Sequence, residues 1–385
     1  MNRPVVIDCL RTPVGRAHSQ RGIFRNVRSD DLAVAVIEAL VKRTGIDVAQ
    51  IEDVVLGNTQ QQGEQGFNVA RFAALMAGLP MECGGTTVNR LCGSSLQALN
   101  QAAHAIIAGA EDVQIVGGLE HMQHIPMETG LDLNPKLFRR TSRGALLMGV
   151  TAEFLAQTQD ISRQCQDAFA LRSHQLAGAA HVGGHFRREI VPIWGHDEAG
   201  NRILVEQDQC VRFDCSAEGL AALKPAFMPG LGTVTAGNSS PLNDGAAALL
   251  IMSEKKAHAL GLQPMARIVA TAVAGVEPAV MGTGPVPATR KALDRAGLQL
   301  ADIDLVELNE AFAAQALACI RMLGLDESKV NVRGGAIAIG HPLGASGARI
   351  ATTLLHTMID QDARFGLATM CIGLGQGIAT IFERI

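Results

Sequence analysis

Short apolar runs alternate along the chain with longer stretches in which apolar positions recur every three to four residues. Val5–Ile7, Val54–Leu56 and Val113–Val116 read as buried strands. Asp31–Lys42, Phe67–Ala77 and Ser94–Ala108 read as helices with one apolar face. Repeated strand, helix, strand units of this kind predict a mostly parallel sheet with helices on both faces. The pattern then occurs a second time. Residues 39–118 and 291–370 align without a gap at a constant offset of 252, with Gly45–Ile51 on Gly297–Ile303, Val54 on Val306, and Cys92 opposite Gly344. A register shared over about eighty residues requires both halves to keep their apolar periodicity in step, the mark of a duplicated folding unit. Two such units predict two sheets, one per half, in a layered α/β/α/β/α body.

The duplication also locates an insertion. Gly245 and the apolar run after it match Gly377 and its run, but here the offset is 132 rather than 252, so the first half holds about 120 extra residues. The expected organisation is a first half over 1–118 completed by 242–266, an inserted lobe over 119–241, and a second half over 267–385. The inserted stretch differs in composition. It holds the single Trp, Trp194, the pairs Arg139-Arg140 and Arg187-Arg188, and the turn-rich Gly195–Asn201.

At 385 residues and 48% hydrophobic content the chain can bury a large core. A net charge of −4, one Trp and no Tyr leave neither a basic stripe nor stacking platforms, which argues against nucleic-acid binding. An anionic ligand would have to be held by a local cluster of Arg or Lys. Eight Cys without a CxxC pair argue against a disulfide framework and against a zinc site, and point to a reducing, cytoplasmic setting. No apolar run reaches membrane-spanning length, and the ending Glu383-Arg384-Ile385 is no recognised address signal.

Cys92 lies in Asn89–Ser95, directly before the Ser94–Ala108 helix. Unpaired N–H groups and the positive end of a helix dipole favour thiolate over thiol there, the setting of a nucleophile; the alternative is a small buried packing residue. Cys9, Cys83, Cys165, Cys210, Cys215 and Cys319 have no such setting and read as packing residues. His341 sits in the glycine-dense Gly334–Gly347 loop, where residues are chosen for backbone access rather than bulk; the alternative is a helix cap or an exposed loop histidine. His121 and His124 have a spacing compatible with metal ligation, but no carboxylate or cysteine completes a set, and they read as ordinary histidines. Cys371 follows a Phe365–Thr369 strand and opens Cys371–Gly377, whose glycines lack the strand-to-helix context of a nucleotide fingerprint; a cysteine at such a turn suggests proton transfer beside an oxyanion site. Asn309, after the strand Leu305–Leu308, can fix a water or carbonyl, or simply cap a helix.

Together these segments resemble the thiolase family over essentially the whole chain. The family's nucleophile motif stands at Asn89–Ser95, its Asn-Glu-Ala-Phe motif at Asn309–Phe312, its Gly-His-Pro motif at Gly340–Pro342 and its Cys-x-Gly motif at Cys371–Gly373, with Gly232–Ser240 and Asn243–Gly245 equally similar. The resemblance implies a thiolase fold and splitting of a 3-ketoacyl-CoA by CoA. Cys92 would carry the acyl group as a thioester, His341 would take its proton, and Cys371 would act as general acid and base. Asn309 would hold a water that, with His341, stabilises the enolate oxygen, while the N–H groups of Cys92 and Gly373 would hold the tetrahedral oxyanion. The inserted lobe resembles the family's CoA-binding loop domain, with Arg212 on the adenine, Leu223 and Phe227 along the pantetheine and Ser240 at its amide. Met148, Met281 and Phe312 fall where relatives shape the acyl end.

No metal and no separate cofactor are implied, CoA being a substrate. A homodimer or dimer of dimers is implied, with a hydratase/dehydrogenase subunit as a further partner. Within the family, Cys371–Arg384, Arg25–Arg28 and Glu64–Asn68 resemble the β-oxidation thiolases of bacterial fatty-acid oxidation complexes. Ala345 departs from these, which often carry a cysteine there, and matches biosynthetic acetoacetyl-CoA thiolases, so condensation remains the alternative activity. A ketoacyl synthase would present a second histidine where Cys371 stands, and a scaffold without catalysis has no reason to keep Cys92, Asn309, His341 and Cys371.

Overall fold

The computed structural model describes residues 2–385. In the first half, strand β1 (Pro4–Arg11) and the short β2 (Gly15–Arg16) precede helix α1 (Ser29–Thr44), β3 (Asp53–Gly57), α2 (Val69–Met76), β4 (Thr86–Val88), α3 (Ser94–Ala108) and β5 (Val113–His121). The stretch after β5 forms α4 (Met148–Thr158), α5 (Arg163–Val182), a hairpin of β6 (Ile193–His196) and β7 (Arg202–Val205), and α6 (Ala217–Ala221). The first half then resumes with β8 (Asn243–Ser253) and α7 (Glu254–Leu260). The second half runs β9 (Ala266–Gly275), α8 (Pro285–Ala296), β10 (Leu305–Leu308), α9 (Ala313–Leu323), α10 (Ser346–Asp360), β11 (Phe365–Ile372) and β12 (Gln376–Arg384).

The alternation of buried residues along the strands sets five layers. Val54, Leu56, Ile115, Leu250 and Met252 face α1 and α2 on the outside of the first-half sheet. Val55, Val116, Leu249 and Ile251 face inward onto α3 and α10. From the other side, Ile378 and Phe382 close on the same two helices, while Ala379 and Ile381 turn outward to α8 and α9. Successive side chains of a strand leave by opposite faces, so each sheet is apolar on both sides and needs both helical layers.

Two details differ from the sequence expectation. The sheets are not separate: β1 pairs with β9 through Val5↔Arg267 and Val6↔Ala266, giving one ten-stranded order β10-β11-β12-β9-β1-β8-β5-β3-β4 with β2 on β8. Nor is the sheet mostly parallel. Only β3–β4, β3–β5 and β10–β11 are parallel, because β12 returns from β11 as a hairpin and β8 enters against β5 after the long excursion.

The duplication is visible element by element. Helices α3 and α10 start at Ser94 and Ser346, and β5 and β11 at Val113 and Phe365, each pair 252 apart. The middle of the repeat is not gapless. Helix α2 starts at Val69 but α9 at Ala313, which is 244 further on. The first half spends its extra residues on the loop before α2. The second spends them on the loop before α10, the loop that carries His341.

The inserted stretch is fastened to the core by a buried charge cluster. Arg11, at the end of β1, donates from Nε to Glu189 at 2.7 Å and from Nη1 and Nη2 to Asp208 at 2.7 and 2.9 Å, all three side chains fully buried. Removing one member of such a buried group typically costs about 3–5 kcal/mol, because the others are left charged and unpaired.

Candidate active site

The loop before α3 presents Cys92. Leu91 has φ 46°, a left-handed conformation that costs a leucine energy and persists only where its surroundings enforce it. Asn89 Oδ1 accepts from Leu91 N–H at 2.8 Å, and Arg90 reaches across to Gln376 Oε1 of β12 at 2.9 Å. Gly93 lies so close to β11 that an added Cβ would sit 2.5 Å from Ile372 Cδ1. The first-half loop that carries Cys92 is therefore clamped onto the second-half strand that carries Cys371.

Cys92 is partly exposed, and its electrostatics correct the sequence expectation. Burial of the sulfur pushes the thiol up to about 11, with the Glu120 carboxylate adding to the rise; the backbone N–H groups of Gly373 and of Cys92 itself pull the other way but do not win. The helix-start argument captured the local donors and missed the tertiary desolvation. Cys371 is buried and pushed well above the usual thiol range, first by burial and then by nearness to Cys92 and Cys319. It lies inside β11, paired with Gly377, so the turn is Gly373–Gly375 and not at Cys371 itself.

His341 is buried, so it is not an exposed loop histidine. Burial, and next the nearby Arg349 cation, push its imidazole down to about 3. Its Nδ1 stands 2.6 Å from Ser346 Oγ and its Nε2 3.4 Å from Asn309 Nδ2, while its backbone N–H donates to Asn243 Oδ1 at 2.8 Å. Gly340, at φ 124°, makes this approach possible: a Cβ there would come within 2.7 Å of the Asn243 amide. Asn309 does not cap α9, whose N-cap is Phe312. Arg349, itself buried, reaches Asn309 Oδ1 at 3.5 Å and Glu307 at 3.5 Å.

Met281 and Phe312 pack with Cys371 in one buried apolar cluster, and Met148 packs against it. Phe227 stands edge-on to Phe312 with ring centroids 5.9 Å apart. Ser240 Oγ donates to Ala311 O at 3.1 Å, and Leu223 packs against the apolar cluster that includes Leu220 and Phe169. Gly373 faces Leu91 and Met148. Arg212 is exposed, with its backbone N–H on His174 Nδ1 at 3.2 Å. Met148, Met281, Phe312, Phe227 and Ser240 thus converge near Cys371 and Asn309. A cavity of about 340 Å³ lined by Glu153, Gln157, Asp160 and Thr233 shares no residue with this cluster.

Among the other candidates, His121 and His124 stack at 3.7 Å and meet carboxylates that spacing did not reveal: Asp244 at 3.3 Å and Glu64 at 2.9 Å. Among the described residues, the one set of three ligand-type side chains within mutual reach is Asp8, Cys9 and His356, and Asp8 is already paired with Arg43. All eight cysteines are free; Cys165 is exposed rather than packed. The sequence reading missed Ser346, Arg349, Glu307 and Glu120. Only Ser346 left a signal, its offset of 252 from Ser94.

Comparison with known proteins places this architecture. Residues 4–255 match the thiolase N-terminal domain and residues 262–384 the thiolase C-terminal domain. The chain belongs to the thiolase family. It is 55% identical over 388 residues to a 3-ketoacyl-CoA thiolase of Marinomonas sp., covering 100% of this chain and 99% of that one. It is 56% identical over 389 residues to one from Shewanella frigidimarina, covering 100% of both. The crystal structure of the Bacillus anthracis acetyl-CoA acetyltransferase superposes with a TM-score of 0.91 at 41% identity, covering 100% of this chain and 99% of that one. Among the described residues, no helix is long and apolar enough to cross a membrane.

Proposed function

We propose that the chain is a 3-ketoacyl-CoA thiolase, an acyltransferase that cleaves 3-ketoacyl-CoA with CoA into acetyl-CoA and a shortened acyl-CoA. What carries this reading is the meeting of two thiols from opposite halves, Cys92 and Cys371, in a chain that also holds a buried imidazole, His341, against Asn309. The Cys92 proton passes to His341 Nε2, and the thiolate adds to the 3-keto carbon, whose oxyanion is held by the N–H groups of Cys92 and Gly373. The C2–C3 bond then breaks, its electron pair forms the enolate of acetyl-CoA, and Cys371 delivers a proton to C2. His341 and a water on Asn309 hold the enolate oxygen. CoA then gives its thiol proton to Cys371, left as a thiolate by the previous step, and displaces the acyl group from Cys92, whose departing thiolate recovers its proton from His341. CoA would lie along Leu223, Phe227 and Ser240 with its adenine on Arg212, and the acyl chain against Met148, Met281 and Phe312. The inserted stretch 119–241 would then be the CoA-binding lobe between the halves 1–118 with 242–266 and 267–385. No metal or separate cofactor enters this scheme.

Burial favours the thiol of Cys92 over its thiolate and the neutral imidazole of His341 over its cation. A homodimer, or dimer of dimers, is supported by β4, an edge strand paired on one side only, and by apolar side chains beside it: Phe67 is 92% exposed and Met81 76%. A hydratase/dehydrogenase subunit as further partner is supported only by the resemblance to β-oxidation thiolases, and a cytoplasmic location by eight free thiols. The second reading, acetoacetyl-CoA condensation, is favoured by Ala345. Thiolysis of short, medium and long 3-ketoacyl-CoA separates them: activity extending to medium and long chains supports the degradative enzyme, and activity on acetoacetyl-CoA alone supports the other.

A further inference from the structure

The two halves begin their central helices with the same residue. Ser94 opens α3 and Ser346 opens α10, 252 positions apart, and both hydroxyls donate back to a carbonyl in the preceding loop: Ser94 Oγ to Leu91 O at 2.6 Å, Ser346 Oγ to Pro342 O at 2.8 Å. What each hydroxyl accepts differs. In the first half, Arg90 N–H donates to Ser94 Oγ at 2.9 Å. The position equivalent to Arg90 in the second half is Pro342, which has no N–H to donate. The lone pair that the repeat would give to a backbone amide is left free, and His341 Nδ1 occupies it at 2.6 Å.

A hydroxyl has one proton. With that proton on Pro342 O, as the 2.8 Å contact has it, Ser346 accepts from His341, and the imidazole proton sits on Nδ1. Nε2 is then a bare lone pair. Its contact agrees, since the partner is Asn309 with its Nδ2 donor, 3.4 Å away. Ser346 and His341 are both buried, which leaves little water to offer Nδ1 another acceptor.

We infer that Ser346 is a positioning residue which, because Pro342 has surrendered the competing amide, holds His341 in the Nδ1–H tautomer and so keeps Nε2 able to take a proton. The inference rests on the reading of His341 as the base, and deepens it: a serine that merely caps a helix in one half has become the orienter of an imidazole in the other. The wrong tautomer would present an N–H where the base must be, the kind of loss expected when a triad's orienting group is removed.

The test is ring ¹⁵N NMR of His-labelled full-length enzyme, with His341 assigned by difference from His341→Asn, alongside thiolysis kinetics. In the unsubstituted enzyme without substrate, His341 should show a protonated Nδ1 and an unprotonated Nε2. Ser346→Ala should shift the ring toward Nε2–H and lower kcat on the order of 10²-fold, with KM little changed, the scale for a disabled general base. Ser346→Thr, which keeps the hydroxyl, should restore the Nδ1–H signature. Ser94→Ala serves as the control: it removes the matching helix-start hydroxyl and should leave the His341 ring signals in place. An Nε2–H signature in the unsubstituted enzyme overturns the inference without any variant. So does a kcat loss in Ser346→Ala with the tautomer unmoved, which would mark a purely structural role. Absence of thiolysis in the unsubstituted enzyme would refute the functional reading instead, while the NMR result would still decide the tautomer.

Discussion

Glu120 stands next to the last residue of β5 with its side chain fully buried and surrounded by donors. It accepts from Thr59 N–H at 3.0 Å, Gly344 N–H at 2.9 Å, Gln65 Nε2 at 2.9 Å, Asn58 Nδ2 at 3.2 Å and Gln60 N–H at 3.3 Å, and it pairs with the Thr59 hydroxyl. These contacts tie the loop after β3 to the loop that carries His341. Burial raises the carboxyl above its ordinary value, and the donors from Thr59, Gln65 and Gly344 limit the rise. With so many donors converging on two oxygens, the anion is the form the geometry is built for.

Glu120→Gln keeps the shape and replaces one acceptor by an NH₂. Placed at the Oε2 position, that NH₂ opposes the backbone N–H groups of Thr59 and Gly344. Placed at Oε1, it opposes Gln60 N–H and the amide of Gln65, which cannot turn because its own oxygen accepts from His121 N–H at 2.7 Å. Either way at least two donors lose a charged acceptor, each worth about 1.5–3 kcal/mol, so the substitution should cost at least about 3 kcal/mol. The assay is urea or thermal unfolding at fixed protein concentration, with hydrogen exchange over residues 58–65 and 340–346 reporting whether the two loops loosen together. A loss below about 0.5 kcal/mol would refute the reasoning, since the small change would mean that the native carboxyl is protonated and burial, not the donor shell, sets its state.

Asp244 is a buried carboxyl pushed from 3.8 up to about 7, mainly by desolvation. A raised carboxyl contributes stability below its unfolded pKa and loses it as pH rises through the folded one, so at pH 8 and above Asp244 should destabilise the fold by up to about 4 kcal/mol. Asp244→Asn should therefore raise the unfolding midpoint above pH 7 and change little below pH 4; an equal gain at both ends of the range would contradict this. Cys371→Ala should still accept acyl from an acyl-CoA but lose carbon–carbon cleavage by a factor on the order of 10²–10⁴, the scale for a missing general acid. Equal loss of both half-reactions would show that Cys371 is needed for acylation too.

Much of the architecture was legible because the chain carries it twice. Helix starts at Ser94 and Ser346 and strand starts at Val113 and Phe365 keep the offset of 252, since the inner pair of helices and the strands beside them must pack on each other. The register failed in the middle, at α2 and α9, where loops of unequal length cancel before α10. The site was legible as motifs and not as chemistry. The helix-start reading of Cys92 summed only neighbours in sequence, whereas its proton affinity is set by burial between the two halves and by Glu120. The partners that hold the charges, Arg11 with Glu189 and Asp208, or Glu120 with Gly344, lie more than 170 residues apart and leave no periodic trace. The reversed strand directions have the same origin, since pairing after the long excursion to β8 is a tertiary choice.

The central claim is that the acyl group rides on Cys92 while Cys371 only moves protons. Incubating the enzyme with an acyl-CoA in the absence of free CoA, quenching in acid and mapping the adduct by peptide mass spectrometry tests it directly. The account predicts one acyl group per chain on the peptide containing Cys92, retained in Cys371→Ala and absent in Cys92→Ser. An adduct on Cys371, or one that survives Cys92→Ser, would contradict it.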